Sequence, residues 1–142
     1  MKYFLGIDQG GTKTAAIICD ASGAILGTGS AVGLADVYFK DTDDLYIKRI
    51  ISASDKAYRM AGITVGQVSA ACGALNGADW DFEYQILAER LSKALNIEDV
   101  TVLNDCIAGM QGGSSTRCTQ NPCQIRTGMR CGFDVAGPGV GR

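Results

Sequence analysis

Three short runs of β-prone residues open the chain, KYFLGID, TKTAAIICD and GAILGTGSA, broken by glycines and small polar residues. They predict three strands. DASG between the second and third supplies Asp20, Ser22 and Gly23, the residues a tight hairpin favours. In DTDDLYIKRIISASDKAYRMAGI the period changes. Ile47, Ile50, Ile51, Ser54, Ala57, Tyr58 and Ala61 recur at helical spacing, with Asp and Thr ahead for capping and Gly62 behind to stop the helix. Its opposite face is charged, so this helix is expected to lie on a sheet. VSAACGALNGAD reads as a buried strand ending in a polar glycine loop. WDFEYQILAERLSKALNI then carries Tyr84, Leu87, Ala88, Leu91, Ala94 and Leu95 on one helical stripe. DVTVLND is a further strand, and a last helix begins at CIAGM.

The predicted order is therefore βββαβαβα, an α/β domain in which a meander joins parallel strands through crossover helices. The result is a mixed sheet with helices on its faces. Ligands of such sheets gather beyond the carboxyl ends of the strands. Three polar clusters fall there: Asp8 to Thr14, Asn76 to Asp79, and Asn104 with Asp105.

Composition narrows the class. With 142 residues, 46% hydrophobic and a mean hydropathy of +0.09, the chain suits one folded domain with a real core. No apolar run approaches the roughly 20 residues of a membrane helix, and MKYFLGIDQGG meets an acid too early for a signal peptide. A cytoplasmic protein without a membrane partner is expected. Six cysteines, no histidine and no CxxC pair predict free thiols instead of a disulfide framework or zinc site. No helix-turn-helix or basic stripe points to nucleic acid.

Charge divides the chain. Up to Gly113 there are 9 Lys or Arg against 14 Asp or Glu, and from Ser114 on 4 Arg against a single Asp. The stretch 114–142 also holds both prolines, half of the cysteines, no leucine, no lysine and no structural period. Residues 1–113 are read as the domain and 114–142 as an atypical tail, either disordered or the product of an altered reading frame.

The loop in GIDQGGTKT, between the first two strands, is the main chemical signal. It misses the Walker A spacing because Thr12 separates Gly11 from Lys13, and it misses the dinucleotide fingerprint because a strand, not a helix, follows. A glycine pair there can present consecutive N–H groups to an anion, with Thr12, Lys13 and Thr14 adding hydroxyls and a positive charge. Asp8 would repel a bare phosphate and suit one carrying Mg²⁺. The plain alternative is a tight turn with a solvated Lys13. Likewise Asn104 or Asp105 can serve as a helix cap, and Asn76, Gly77 and Asp79 as a turn and cap.

FLGIDQGGTKTAAI resembles the first phosphate motif of the sugar kinase, heat-shock protein and actin superfamily. Together with VLNDCIAGMQGG it most resembles the BadF/BadG/BcrA/BcrD ATPase family, which includes N-acetylglucosamine kinases; the resemblance covers residues 1 to about 113. It implies an actin-like ATPase (ribonuclease H-like) domain and ATP-dependent phosphorylation of a sugar or amino sugar. ATP and Mg²⁺ would be the cofactors. By resemblance, Asp8, Gly10, Gly11, Thr12, Lys13 and Thr14 meet the nucleotide's phosphates, with Asp8 helping to hold Mg²⁺. Asp105 is the catalytic base, Asn104 a ligand of the sugar hydroxyls, and Asn76 with Gly77 belong to the sugar-side loop.

Gln9 departs from the N-acetylglucosamine kinase pattern, which often has glycine there, and GIDQG also occurs in glycerol kinase-like enzymes. These kinases use two such domains, and CGFDVAGPGVGR does not supply the second phosphate loop. The chain is therefore expected to be the N-terminal half of a longer kinase, inactive alone, with exposed interdomain surface available for homodimerisation. Two rival functions belong to other classes. One is an activator ATPase of 2-hydroxyacyl-CoA dehydratases, for which Cys118, Cys123 and Cys131 would be the iron–sulfur candidates. The other is a non-catalytic sugar or nucleotide sensor.

Overall fold

A computed structural model describes residues 1–32 and 45–113 of the chain. The expected capping residues ahead of the first helix, and the tail with Cys118, Cys123 and Cys131, lie outside the described residues. The elements follow the predicted order: β1 (Tyr3–Gln9), β2 (Lys13–Asp20), β3 (Ile25–Val32), α1 (Leu45–Ala61), β4 (Val68–Leu75), α2 (Asp81–Leu95), β5 (Val100–Asn104) and α3 (Asp105–Gly113). A short 3₁₀ turn, Val65–Gln67, leads into β4 and was not visible as a period.

The five strands form one mixed sheet in the order β3-β2-β1-β4-β5. The meander β1–β2–β3 is antiparallel, and β1, β4 and β5 run parallel. The DASG hairpin forms as expected. Gly23 takes the left-handed conformation (φ 85°), and the Asp20 carboxylate accepts from Ser22 N–H (2.8 Å), Ser22 Oγ (2.6 Å) and Ala24 N–H (3.1 Å). Those bonds, led by the Ser22 hydroxyl, hold the Asp20 carboxyl below its ordinary value.

Residues paired across neighbouring strands share a face of the sheet. Ile7 pairs with Ala16 and Gly73, and these in turn with Gly29 and Val102. That face is the core side, because α1 and α2 both cover it. Leu5, Ile7, Ala16, Ile18, Ile50, Leu87 and Leu91 are buried between sheet and helices. Close approach is the rule where α1 crosses β3. A Cβ on Gly27 would collide with the Ala57 carbonyl and lie 2.7 Å from Ala61 N, and one on Gly29 would strike the Ala53 carbonyl. Glycine at both β3 positions lets the Ala53, Ala57 and Ala61 ridge rest directly on the strand.

The helical stripes hold with four changes. Tyr46 and Ala53 join the buried face of α1, Glu83 joins that of α2, and Ala94 of α2 is exposed. Gly62 terminates α1 at φ 68°, with Ile63 N–H bonded to Tyr58 O (3.1 Å). α2 ends instead at Asn96 in the left-handed conformation (φ 55°), and Ser92 Oγ donates to Ile97 O at 2.7 Å.

Candidate functional site

The parallel strands end together. Gln9, Leu75 and Asn104, the last residues of β1, β4 and β5, are in register with one another. Neighbouring strands lie about 4.8 Å apart, so the loops after β1, β4 and β5 stand side by side within roughly 10 Å. The sheet thus brings the three predicted polar clusters to one edge, in the order Asp8–Thr14, Asn76–Asp79, Asn104–Asp105.

Alternation along the strands sorts the first cluster. Asp8 pairs with Ala15 of β2 and Ala74 of β4, on the sheet face opposite Ile7 and the core helices. Its carboxylate is exposed and makes no hydrogen bond among the described residues. Lys13, two positions before Ala15, shares that face and is also exposed. Between them Gly10 N–H donates to Lys13 O at 2.9 Å and closes the turn. Gly11 and Thr12 N–H find no partner among the described residues. The left-handed glycines are Gly23, Gly62 and Gly77, not the Gly10–Gly11 pair. The loop therefore presents free N–H groups without the alternating backbone of an αR–αL nest.

Thr14 stands apart from this set. It is fully buried on the core side, and its Oγ1 donates to Val32 O at 3.3 Å. Its hydroxyl is thus turned to the opposite face from Asp8 and Lys13.

The second cluster is a turn tied to the first. Asn76 N–H donates to Gln9 O at 2.9 Å, and Ala78 N–H returns to Leu75 O at 3.3 Å. Gly77, at φ 81°, occupies the turn position that requires a left-handed residue. Asp79 does not cap α2 with its side chain. The helix start is held from within: Glu83 Oε2 accepts from Asp79 N–H (2.7 Å) and Trp80 N–H (2.9 Å), which buries a carboxylate at a helix N-terminus.

Asp79 is left free to meet the third cluster. Asn104 Nδ2 donates to Asp79 Oδ1 at 3.0 Å, while Asn104 Oδ1 accepts Cys106 N–H at 2.9 Å and so caps α3. Asp105, the first residue of α3, is half-buried, and its Oδ1 also receives the Cys106 N–H at 2.9 Å. Capping by Asn104 and an available Asp105 carboxylate coexist. Tyr84 packs beside this junction, and burial pushes its phenol above the ordinary value, with the charges of Asp81, Asp79 and Glu83 in support.

Sequence reasoning put Asp79 in the second polar cluster only as a helix cap, with no ligand or positioning role, and missed the cap that Glu83 supplies. The signal for the cap was the acid three residues after Trp80. Asp79 bonding Asn104 across 25 positions had no local signal.

The chemistry of Asp8 fits Mg²⁺. Among the described residues no three carboxylate or thiolate groups gather to hold a metal by themselves. Mg²⁺ is ordinarily bound by one or two carboxylates, substrate phosphates and water, and a single exposed carboxylate beside free amides meets that demand. Among the described residues no helix is long and apolar enough to cross a membrane.

No protein-family model matches the chain, and no curated protein matches it by sequence. Solved structures do. A ROK hexokinase from Thermus thermophilus superposes with a TM-score of 0.59 at 22% identity, covering 79% of this chain and 38% of that one. A ROK family glucokinase from Streptomyces griseus, solved with glucose and AMPPNP, gives 0.59 at 24% identity, over 78% of this chain and 35% of that one. A Porphyromonas gingivalis protein named as a candidate N-acetylglucosamine kinase gives 0.55 at 21%, over 72% and 34%. The fold is therefore the one these sugar kinases share over the matched residues, a mixed five-stranded α/β sheet with helices. The chain spans little more than a third of the length of each.

Proposed function

We propose that this chain carries the phosphate and sugar side of an ATP-dependent carbohydrate kinase, with an N-acetylglucosamine or glucosamine kinase of the BadF/BadG/BcrA/BcrD type as the particular reading. The observation that carries it is the common edge at which Asp8, Asn76 and Asp105 lie within one residue of the ends of three adjacent parallel strands. Phosphoryl transfer needs a cradle for phosphates, a metal and a carboxylate facing the attacking hydroxyl, and that edge supplies a group for each.

In this reading Gly10, Gly11, Thr12 and Lys13 hold the phosphates through backbone N–H groups and the Lys13 ammonium, and Asp8 holds Mg²⁺, which neutralises phosphate charge when bound. Asn76, Gly77 and Asn104 orient the sugar. Asp105 accepts the proton of the attacking hydroxyl. Residues 1–113 then form one jaw of a two-domain clamp, and the isolated chain binds without turning over. The test is Asp105→Asn in the complete two-domain protein. Sugar-dependent ADP release should fall by about 10² to 10⁴ while sugar binding persists. Unchanged turnover would remove Asp105 from the role.

A further inference from the structure

The two residues that flank the glycine loop are buried, polar and paired. Gln9 and Thr14 face each other across β1 and β2, directly before and after the turn. They are 1% and 0% exposed, the only buried polar side chains of those two strands. Each reaches a different element. Gln9 Nε2 donates to the Tyr46 carbonyl at 3.3 Å in the first turn of α1, and Thr14 Oγ1 donates to the Val32 carbonyl at 3.3 Å at the end of β3. The Gln9 carbonyl meanwhile receives Asn76 N–H from the neighbouring loop.

An apolar pair would fill this layer without an unmet polar group, because among the described residues the buried Gln9 Oε1 has no hydrogen-bond partner. The loop between them has only one backbone bond of its own, Gly10 N–H to Lys13 O. Glycines give it little preference for any one shape, so its position depends on its anchors.

We infer that Gln9 and Thr14 form a buried clamp that positions the glycine loop, fixing one end to α1 and the other to β3 without touching a ligand. Neither residue is catalytic. The role rests on the phosphate reading of the loop for its purpose, and not for its existence. It separates from mere packing because the clamp should be dispensable for stability and necessary for order in the loop. Gln9→Met and Thr14→Val keep the shape and remove the polar grip. Tyr46 O retains its place in the helix, and the Val32 end of β3 is exposed to water.

The experiment is amide hydrogen exchange on the ligand-free 142-residue chain, with thermal unfolding in parallel. Ser54→Ala, which removes another buried hydroxyl far along α1, is the control. Both clamp variants should exchange the Gly10 amide at least about fivefold faster, while core amides such as Ile50 and the melting temperature are unchanged. Ser54→Ala should leave Gly10 alone. Unchanged Gly10 exchange, or acceleration across the whole core with a falling melting temperature, would overturn the clamp. A separate MgATP titration distinguishes the two claims. A wild-type chain that ignores MgATP counts against the phosphate reading, while the exchange data still decide the clamp. If the wild type binds, both variants should bind at least about fivefold more weakly, and equal binding would overturn the positioning role.

Discussion

Asn104 and Asp79, 25 residues apart, share a 3.0 Å hydrogen bond that joins the end of β5 to the loop after β4. Its direction fixes the Asn104 carboxamide: Nδ2 points to Asp79, and Oδ1 to the first turn of α3. One N–H and one lone pair remain for a ligand. Asp79→Ala releases that orientation without removing any proposed ligand. The expected result is sugar binding weakened by about five- to tenfold, matching the roughly 1 kcal/mol of one charge-assisted bond at an exposed site. Calorimetric titration of the variant checks it, and Asp79→Asn should recover part of the loss.

Packing of α1 on β3 offers a sharper stability test. Gly29→Ala drives a methyl into the Ala53 carbonyl, and backbone cannot yield as a side chain does. The expected loss is about 2 kcal/mol or more, a fall in melting temperature of roughly 8 °C. Gly66→Ala is the matched control, since nothing lies within 4 Å of its added Cβ and its φ is not left-handed. It should change stability by less than about 0.5 kcal/mol. Thermal unfolding of both variants reads the contrast.

Alkaline pH should weaken the fold through Tyr58. Its hydroxyl is buried on α1 without a partner among the described residues, and burial, then the charge of Asp55, pushes the phenol up to about 12. Below pH 10 both folded and unfolded states keep the proton. Above it the unfolded chain releases the proton first, so stability is lost progressively as pH rises from 10 to about 12. Tyr58→Phe should match the wild type at neutral pH and lose on the order of 1–2 kcal/mol less across that window. Urea unfolding at pH 8 and 11 measures the difference.

Much of this architecture is legible in local patterns, and the exceptions have physical causes. The alternation of Leu5, Ile7 and Gln9 against Gly6 and Asp8 orients β1 and places Asp8 on the open face. The Ile47, Ile50, Ser54 and Ala57 spacing marks α1 and its buried side. Tyr46 and Ala53 escaped because burial depends on what the helix meets. Ala53 is buried where Gly29 allows the strand to come close, and Tyr46 lies under the Arg90 guanidinium, 5.4 Å from its ring centroid. Neither contact is encoded near the residue it buries.

The site divides in the same way. Its three clusters could be placed at strand ends from motif and period, but their alignment on one edge needed the strand order, which local sequence does not contain. Thr14 shows the limit of motif reading. As part of GGTKT it looks like a phosphate ligand, yet strand alternation turns its hydroxyl into the core, while Lys13 beside it faces outward. Asp79 shows the opposite case, an apparent cap whose side chain is released for Asn104 because Glu83 performs the capping.

The most direct test of the account is a two-ligand titration of the ¹⁵N-labelled chain, with MgATP and N-acetylglucosamine added separately at millimolar concentration and followed by amide chemical shifts. The account predicts that MgATP moves the amides of Gly10, Gly11, Thr12 and Lys13, that this response is lost in Asp8→Asn, and that the sugar moves those of Asn76, Gly77, Asn104 and Asp105. Responses confined to other surfaces, or none from either ligand, would contradict it.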